Sequence, residues 1–110
     1  MLDPIADNIS RYMNVLSARQ KLVASNIANV DTPNYRTKDI DFGAEMQAAS
    51  NVRTPSVVEP AGLQTKSDGN NVALDRESRL LAENALRFNM ASNLMKAHIR
   101  LVKSAIQDGR

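Results

Sequence analysis

The 110-residue chain has no cysteine, no tryptophan and a single histidine, His98. Without cysteine there is no disulfide framework, no thiol nucleophile and no thiolate zinc site, and one histidine is too few for an imidazole metal cluster. Aromatic side chains make up only 4% of the sequence, so the bulky anchors that dominate most cores are scarce. The glycines at 43, 62, 69 and 109 are scattered and form no phosphate-cradling loop. No apolar run approaches the ~20 residues of a membrane span. Asp3, Asp7, Arg11 and Arg19 break up the first twenty residues, so no cleavable secretory signal is expected there. Charge of one sign is also lacking: fourteen basic and twelve acidic residues leave +2, too small an excess to argue for nucleic-acid binding. A chain this short holds one small domain or one assembling subunit, not a two-lobed enzyme.

What is present is two long apolar stripes. Asp3 before Pro4 reads as a helix start, because the carboxylate accepts from free N–H groups of the first turn while proline at the first position lacks a donor that has no use there. From there Ile5, Ile9, Tyr12, Leu16, Val23, Ile27 and Val30 recur at steps compatible with one helical face, with Arg19 interrupting. Pro33 ends the pattern, which places a first helix at residues 4–30, about 40 Å long.

Near the other end Leu74, Leu81, Phe88, Met95 and Val102 fall seven apart. Ser78, Ala85, Ser92, Ile99 and Ile106 each follow four later, giving five heptads of one seam. This predicts a second helix over 74–107, about 50 Å long, capped by Asp75 or Asn71 and ending before Gly109. Leu80, Leu86, Leu94 and Leu101 lie off that seam. One partner helix does not cover so much apolar surface, so packing between molecules is expected over a self-sufficient monomer.

Residues 31–73 form the third part of a 1–30, 31–73, 74–110 organisation. Three of the four prolines and three of the four glycines lie between 31 and 71, which reads as irregular, with a short helical turn near 43–49 and a short strand at Val57–Val58. The expected fold is therefore all-α: long N-terminal and C-terminal helices pairing as an antiparallel coiled-coil-like hairpin, with an irregular middle segment.

Candidate chemistry is thin. Arg87, Lys96, Arg100 and Lys103 read as a solvated basic face that complements the helix dipole. His98 reads as a helix-surface or interface residue, and Asp39 with Asp41 as a solvated acidic loop. The segment Ser25–Arg36 is different in kind. Asn26 and Asn29 sit at the helix end, where short amides bond exposed carbonyls or reach a neighbouring helix. Asn34 tolerates positive φ, and Tyr35 can turn its ring back onto the helix. The segment reads either as a built corner or as a simple helix stop.

At this corner the chain resembles the flagellar axial proteins, which share an apolar helix, a SNIAN-type segment and a D-T-P-x-Y turn. The matching residues are Ser25, Asn26, Ile27, Ala28 and Asn29, then Asp31, Thr32, Pro33 and Tyr35. Two further stretches, Arg36 to Phe42 and Asp68 to Val72 leading into Leu74 to Glu77, look like those of proximal rod subunits. The resemblance covers residues 9–47 and 65–107; residues 48–64 match nothing familiar, and Asn34 stands where such signatures usually carry glycine.

The resemblance implies a non-enzymatic structural subunit of the basal-body proximal rod, needing no cofactor and taking no small-molecule substrate or nucleic acid. It would sit in the flagellar basal body, in a rod that crosses the periplasm, having been exported without a cleaved signal peptide. Its implied partners are other copies of itself, other rod subunits and basal-body components at the rod base, and the flagellar type III export apparatus. The corner residues named above would be one assembly element. The other would be the helix seams, Ile9, Leu16 and Val23 in the first helix and Leu74, Leu81, Phe88, Met95, Ile99, Val102 and Ile106 in the second. The alternative is a small helical-hairpin adaptor that binds a partner helix or an acidic surface.

Overall fold

The computed structural model describes residues 3–48 and 54–108. In chain order the elements are α1 (Pro4–Ala28), β1 (Asp39–Ile40), α2 (Phe42–Met46), β2 (Val57–Val58) and α3 (Leu74–Asp108). The molecule is a rod 68 × 25 × 18 Å, built on the packing of α1 against α3. The fold is mostly helical, as expected. Gly109, the expected residue past the second helix, lies outside the described residues.

Asp3 caps α1 as its sequence suggests, its Oδ1 accepting from the N–H groups of Ile5 at 3.0 Å and Ala6 at 3.5 Å. Asp3 also bonds His98 of α3 through its other oxygen. Further along, Gln20 Nε2 donates to the Leu81 carbonyl at 3.1 Å, and Asn26 reaches Glu77. Residue numbers therefore rise along α1 as they fall along α3, so the pair is antiparallel. α1 has ended opposite His98, and all residues from 99 to 108 are exposed. At 1.5 Å per residue, this end of α3 overhangs α1 by about 15 Å.

The line of α3 that faces inward is Glu77, Leu80, Asn84 and Ala91, not the expected seam. Leu74, Leu81, Phe88, Ile99, Val102 and Ile106 are all exposed, and Met95 is half-buried. A strict seven-residue repeat drifts about 20° per heptad around a straight helix. The seam thus begins well to one side of α1 at Leu74 and swings towards it only near Met95, and α1 has ended by Val102.

α1 stops at Ala28, before the expected residue 30, because Asn29 closes it: the Asn29 N–H and side-chain amide both bond the Ser25 carbonyl, at 3.0 and 2.8 Å. Neither expected cap of α3 acts as one. Asp75 lies inside the first turn, and the Asn71 oxygen accepts from Thr37 instead. The middle segment contains both short elements expected there, α2 and the strand β2. β2 pairs antiparallel with β1, Asp39 opposite Val58 and Ile40 opposite Val57. Asp41 caps α2 by accepting from Ala44 N–H at 3.1 Å.

Burial among the described residues is shared equally between apolar side chains, such as Leu16, Val23, Ile40 and Val72, and polar ones, such as Asn26, Thr37, Asn70 and Glu77. Hydrophobic area therefore holds the helix pair together, while the middle segment is fastened to it largely by hydrogen bonds.

Candidate assembly site: the corner and the exposed flank of α3

After Asn29 the chain passes through a set of turns that side chains from both ends of the segment fasten. Thr32 Oγ1 donates to Asn29 Oδ1 at 3.0 Å. Asn34 takes the left-handed conformation, φ 64°, and its N–H donates to the Asp68 carbonyl at 2.9 Å. Tyr35 folds back so that its hydroxyl donates to Asn26 Oδ1 and lies 3.1 Å from Ser25 Oγ. The segment is a built corner.

Its second half comes from residues 68–71, forty positions further on. Asn70 donates its side-chain amide to the carbonyls of Asn29 and Thr32, both at 2.9 Å, satisfying groups that the end of α1 leaves open. Asn71 Oδ1 accepts from Thr37 N–H at 2.7 Å and Thr37 Oγ1 at 2.9 Å. Lys66 Nζ donates to the Val30 carbonyl. The two motif stretches are one structural unit.

Gly69 packs against Asn34 with φ 86°, and a Cβ there would lie 2.3 Å from Asn34 Oδ1 and 3.3 Å from its Cα. Gly69→Ala is accordingly expected to cost about 1–3 kcal/mol, read as a lower urea midpoint. In an Asn34→Gly background, which removes the oxygen but leaves the positive φ, the loss should shrink without vanishing.

Beneath the corner lies a charged cluster that the sequence reading treated differently. Asp39 is not part of a solvated acidic loop: it is buried, and its carboxylate takes a fork from Arg19 at 2.8 and 3.0 Å, the Ile40 N–H at 2.7 Å, and a bond from Arg76. Arg76 also bonds Glu77, fully buried, at 2.6 Å. Glu77 in turn accepts from Asn26 Nδ2 at 2.7 Å. Burial opposes the charge on Asp39, yet the bonds from Arg19, Ile40 and Arg76 outweigh it and hold its carboxyl below the usual carboxylate range. Burial likewise opposes the Arg76 charge and is outweighed by Asp39 and Glu77, so its pKa is raised. Arg19, the interruption in the first stripe, is thus the α1 contribution to a bridge joining α1, β1 and α3.

Of the candidate corner residues, Asn26 is buried, and Ser25, Ile27, Asn29 and Tyr35 are half-buried. Ala28, Asp31, Thr32 and Pro33 face solvent. The helix-seam residues divide: Ile9, Leu16 and Val23 are buried within the chain, whereas those of α3 are exposed on its open flank, apart from the half-buried Met95. Sequence reasoning missed Arg19, Asp39, Arg76 and Glu77 as a group. The available signal was an arginine inside an otherwise apolar stripe.

A profile described as "Flagella basal body rod protein" matches residues 13–36, the second half of α1 and the corner. The chain is 32% identical to the flagellar basal body rod protein FlgB of Borrelia hermsii, over 92% of this chain and 94% of that protein. The chain belongs to the FlgB family of flagellar basal body rod proteins. It is also 30% identical to FlgB of Yersinia enterocolitica, over 99% of this chain and all of that protein, and 28% identical to FlgB of Escherichia coli K12, over 88% of each. The flagellar resemblance of the corner is thereby borne out, and the profile match falls on it. As an FlgB-family member the chain is a structural component of the flagellar basal body rod and not an enzyme.

Proposed function

We propose that this FlgB-family chain polymerises with copies of itself and with other rod and basal-body subunits through the exposed flank of α3, and is required for motility. The corner holds α1, β1 and α3 at a fixed angle so that this flank is presented as a rigid strip. The chain reaches the rod through the flagellar type III export apparatus without a cleaved signal peptide, and the assembled rod crosses the periplasm.

The observation that carries this reading is the exposure of the heptad seam from Leu74 to Ile106. A soluble monomer rarely leaves so long an apolar strip uncovered, and such strips mark protein interfaces. Each seam side chain contributes on the order of 1.5–3 kcal/mol when fully buried. Several together can therefore drive association.

Leu81 is 39% exposed in the single chain, so Leu81→Asp should leave the monomer folded, with a melting temperature within a few degrees of the parent. The variant should still be secreted, yet form no sedimentable polymer and no motile cells. Leu16→Asp, at a buried position, should instead unfold the monomer. Normal swimming and intact rods with Leu81→Asp would overturn the proposal.

A further inference from the structure

The inward line of α3 separates two unlike apolar flanks. On one stands the seam with Phe88, 39% exposed. On the other, Met90 and Leu94, 62% and 58% exposed, join Ile9 and Tyr12 of α1 and Met46, the last residue of α2, to wall an open, almost wholly apolar groove of about 530 Å³. The groove is continuous with the α1–α3 interface, since Ile9 and Ala91 belong to both.

We infer that this groove receives the Phe88 flank of a second copy of this chain, so that neighbouring subunits join groove to knob. The inference rests on the reading of α3 as an assembly surface and adds which face meets which. Three observations favour it.

The first is charge. Arg87 lines the groove, with Glu83 as its partner at 2.9 Å. Groove-to-groove docking would bury two Arg87–Glu83 ion pairs against each other, and taking both pairs out of water is costly, whereas an uncharged flank adds no second pair. The other flank carries no charge at its seam positions from Leu81 through Ala85, Phe88 and Ser92 to Met95.

The second is shape and chemistry. Phe88 is the one aromatic residue of the seam. The groove offers two methionines, Met46 and Met90, whose flexible thioethers adapt to an aromatic ring and contact it favourably.

The third is area. α3 is 35 residues long. At 1.5 Å per residue and a strip about 10 Å wide, its full flank offers an upper bound of about 500 Å² per copy, or about 1,000 Å² per contact, where specific interfaces begin; the α3 wall of the groove, Arg87 to Leu94, supplies the centre of that strip. A groove-to-knob contact is heterologous: every joined pair keeps one free groove and one free knob, so growth is open-ended.

Because the chain has no cysteine, engineered thiols are its only thiols. Phe88→Cys and Leu94→Cys chains are prepared separately, checked for parental helicity by circular dichroism, and oxidised alone and as an equal mixture at a concentration where the parent self-associates. The mixture should give a disulfide-linked dimer at about tenfold the yield of either variant alone, since only apposed Cα atoms within about 7 Å can bridge. A chain carrying both substitutions should give a ladder of oligomers. The two positions lie six residues apart, a rise of about 9 Å, so they do not close within one helix. Efficient dimer formation by Phe88→Cys alone, or by Leu94→Cys alone, overturns the inference in favour of a symmetric contact. The absence of cross-links while the chains still associate overturns it and leaves the assembly reading standing. A parent chain that stays monomeric at every concentration overturns both.

Discussion

Asn26→Ala is expected to lower the unfolding free energy by about 3–4 kcal/mol, a large share of the ~5–15 kcal/mol typical of a small domain. The Asn26 side chain is completely buried and uses its full hydrogen-bonding capacity. Its Nδ2 donates to the Lys38 carbonyl at 2.8 Å and to Glu77 Oε1 at 2.7 Å, while its Oδ1 accepts from Lys38 N–H and the Tyr35 hydroxyl, both at 3.1 Å. Alanine would take one bond from each of these four groups; Tyr35 keeps Ser25 and Glu77 keeps Arg76, but the buried Glu77 carboxylate is the most costly to leave short of a donor. Asn26→Asp should be worse still, because it replaces the donor facing Glu77 with a second carboxylate. Adding Glu77→Gln to Asn26→Asp restores a donor–acceptor pair and should recover part of the loss. A double-mutant cycle on urea midpoints would read that coupling. Tyr35→Phe removes one bond of the four and should cost only about 1 kcal/mol.

The helices were legible in the sequence, but their facing surfaces were only half so. α1 could be read because its inward residues Ile9, Leu16 and Val23 are large and apolar, and a period of 3.6 is what such residues reveal. α3 could not be read in the same way. Its inward line contains an acid, an amide and an alanine beside one leucine, and no count of apolar spacing selects Glu77 or Asn84. The heptad in α3 is real, but periodicity reports that a stripe will be covered, not whether by the same molecule. Here the strongest pattern marks the outer flank.

The corner was legible where a residue's own conformational chemistry decided its role. Asn34 at positive φ and Tyr35 folded onto the helix end follow from local preferences of those residue types. Glu77, Asp39, Asn70 and Asn71 were not legible as partners of that corner, because their roles come from pairings across about 20 to 50 positions. Local sequence gives no reason to bury a carboxylate. Only the arrival of Arg19, Arg76 and Asn26 from separate elements makes that burial affordable in free energy.

The same pairing sets the pH response. With its folded-state pKa held below the ordinary value of about 4 by Arg19, Ile40 N–H and Arg76 against the opposing effect of burial, Asp39 contributes stability that is fully present above pH ~4. That contribution is lost as pH falls through the lower folded-state pKa. The urea midpoint should therefore change little between about pH 7 and 5 and drop steeply below about pH 4. Asp39→Asn keeps the side-chain size but removes the charge that both arginines address. It should cost about 2–3 kcal/mol at neutral pH, less than the loss of a fully sequestered pair because Arg19 and Arg76 keep about a fifth of their side-chain surface in water. The variant should also show a shallower acid limb, since one carboxylate that must be protonated on acid unfolding is gone. An Asp39→Asn protein with the parental midpoint at pH 7 and the parental slope below pH 4 would mean that the bridge between α1, β1 and α3 does not hold the corner. In that case the burden would pass to the amide bonds of Asn26, Asn70 and Asn71.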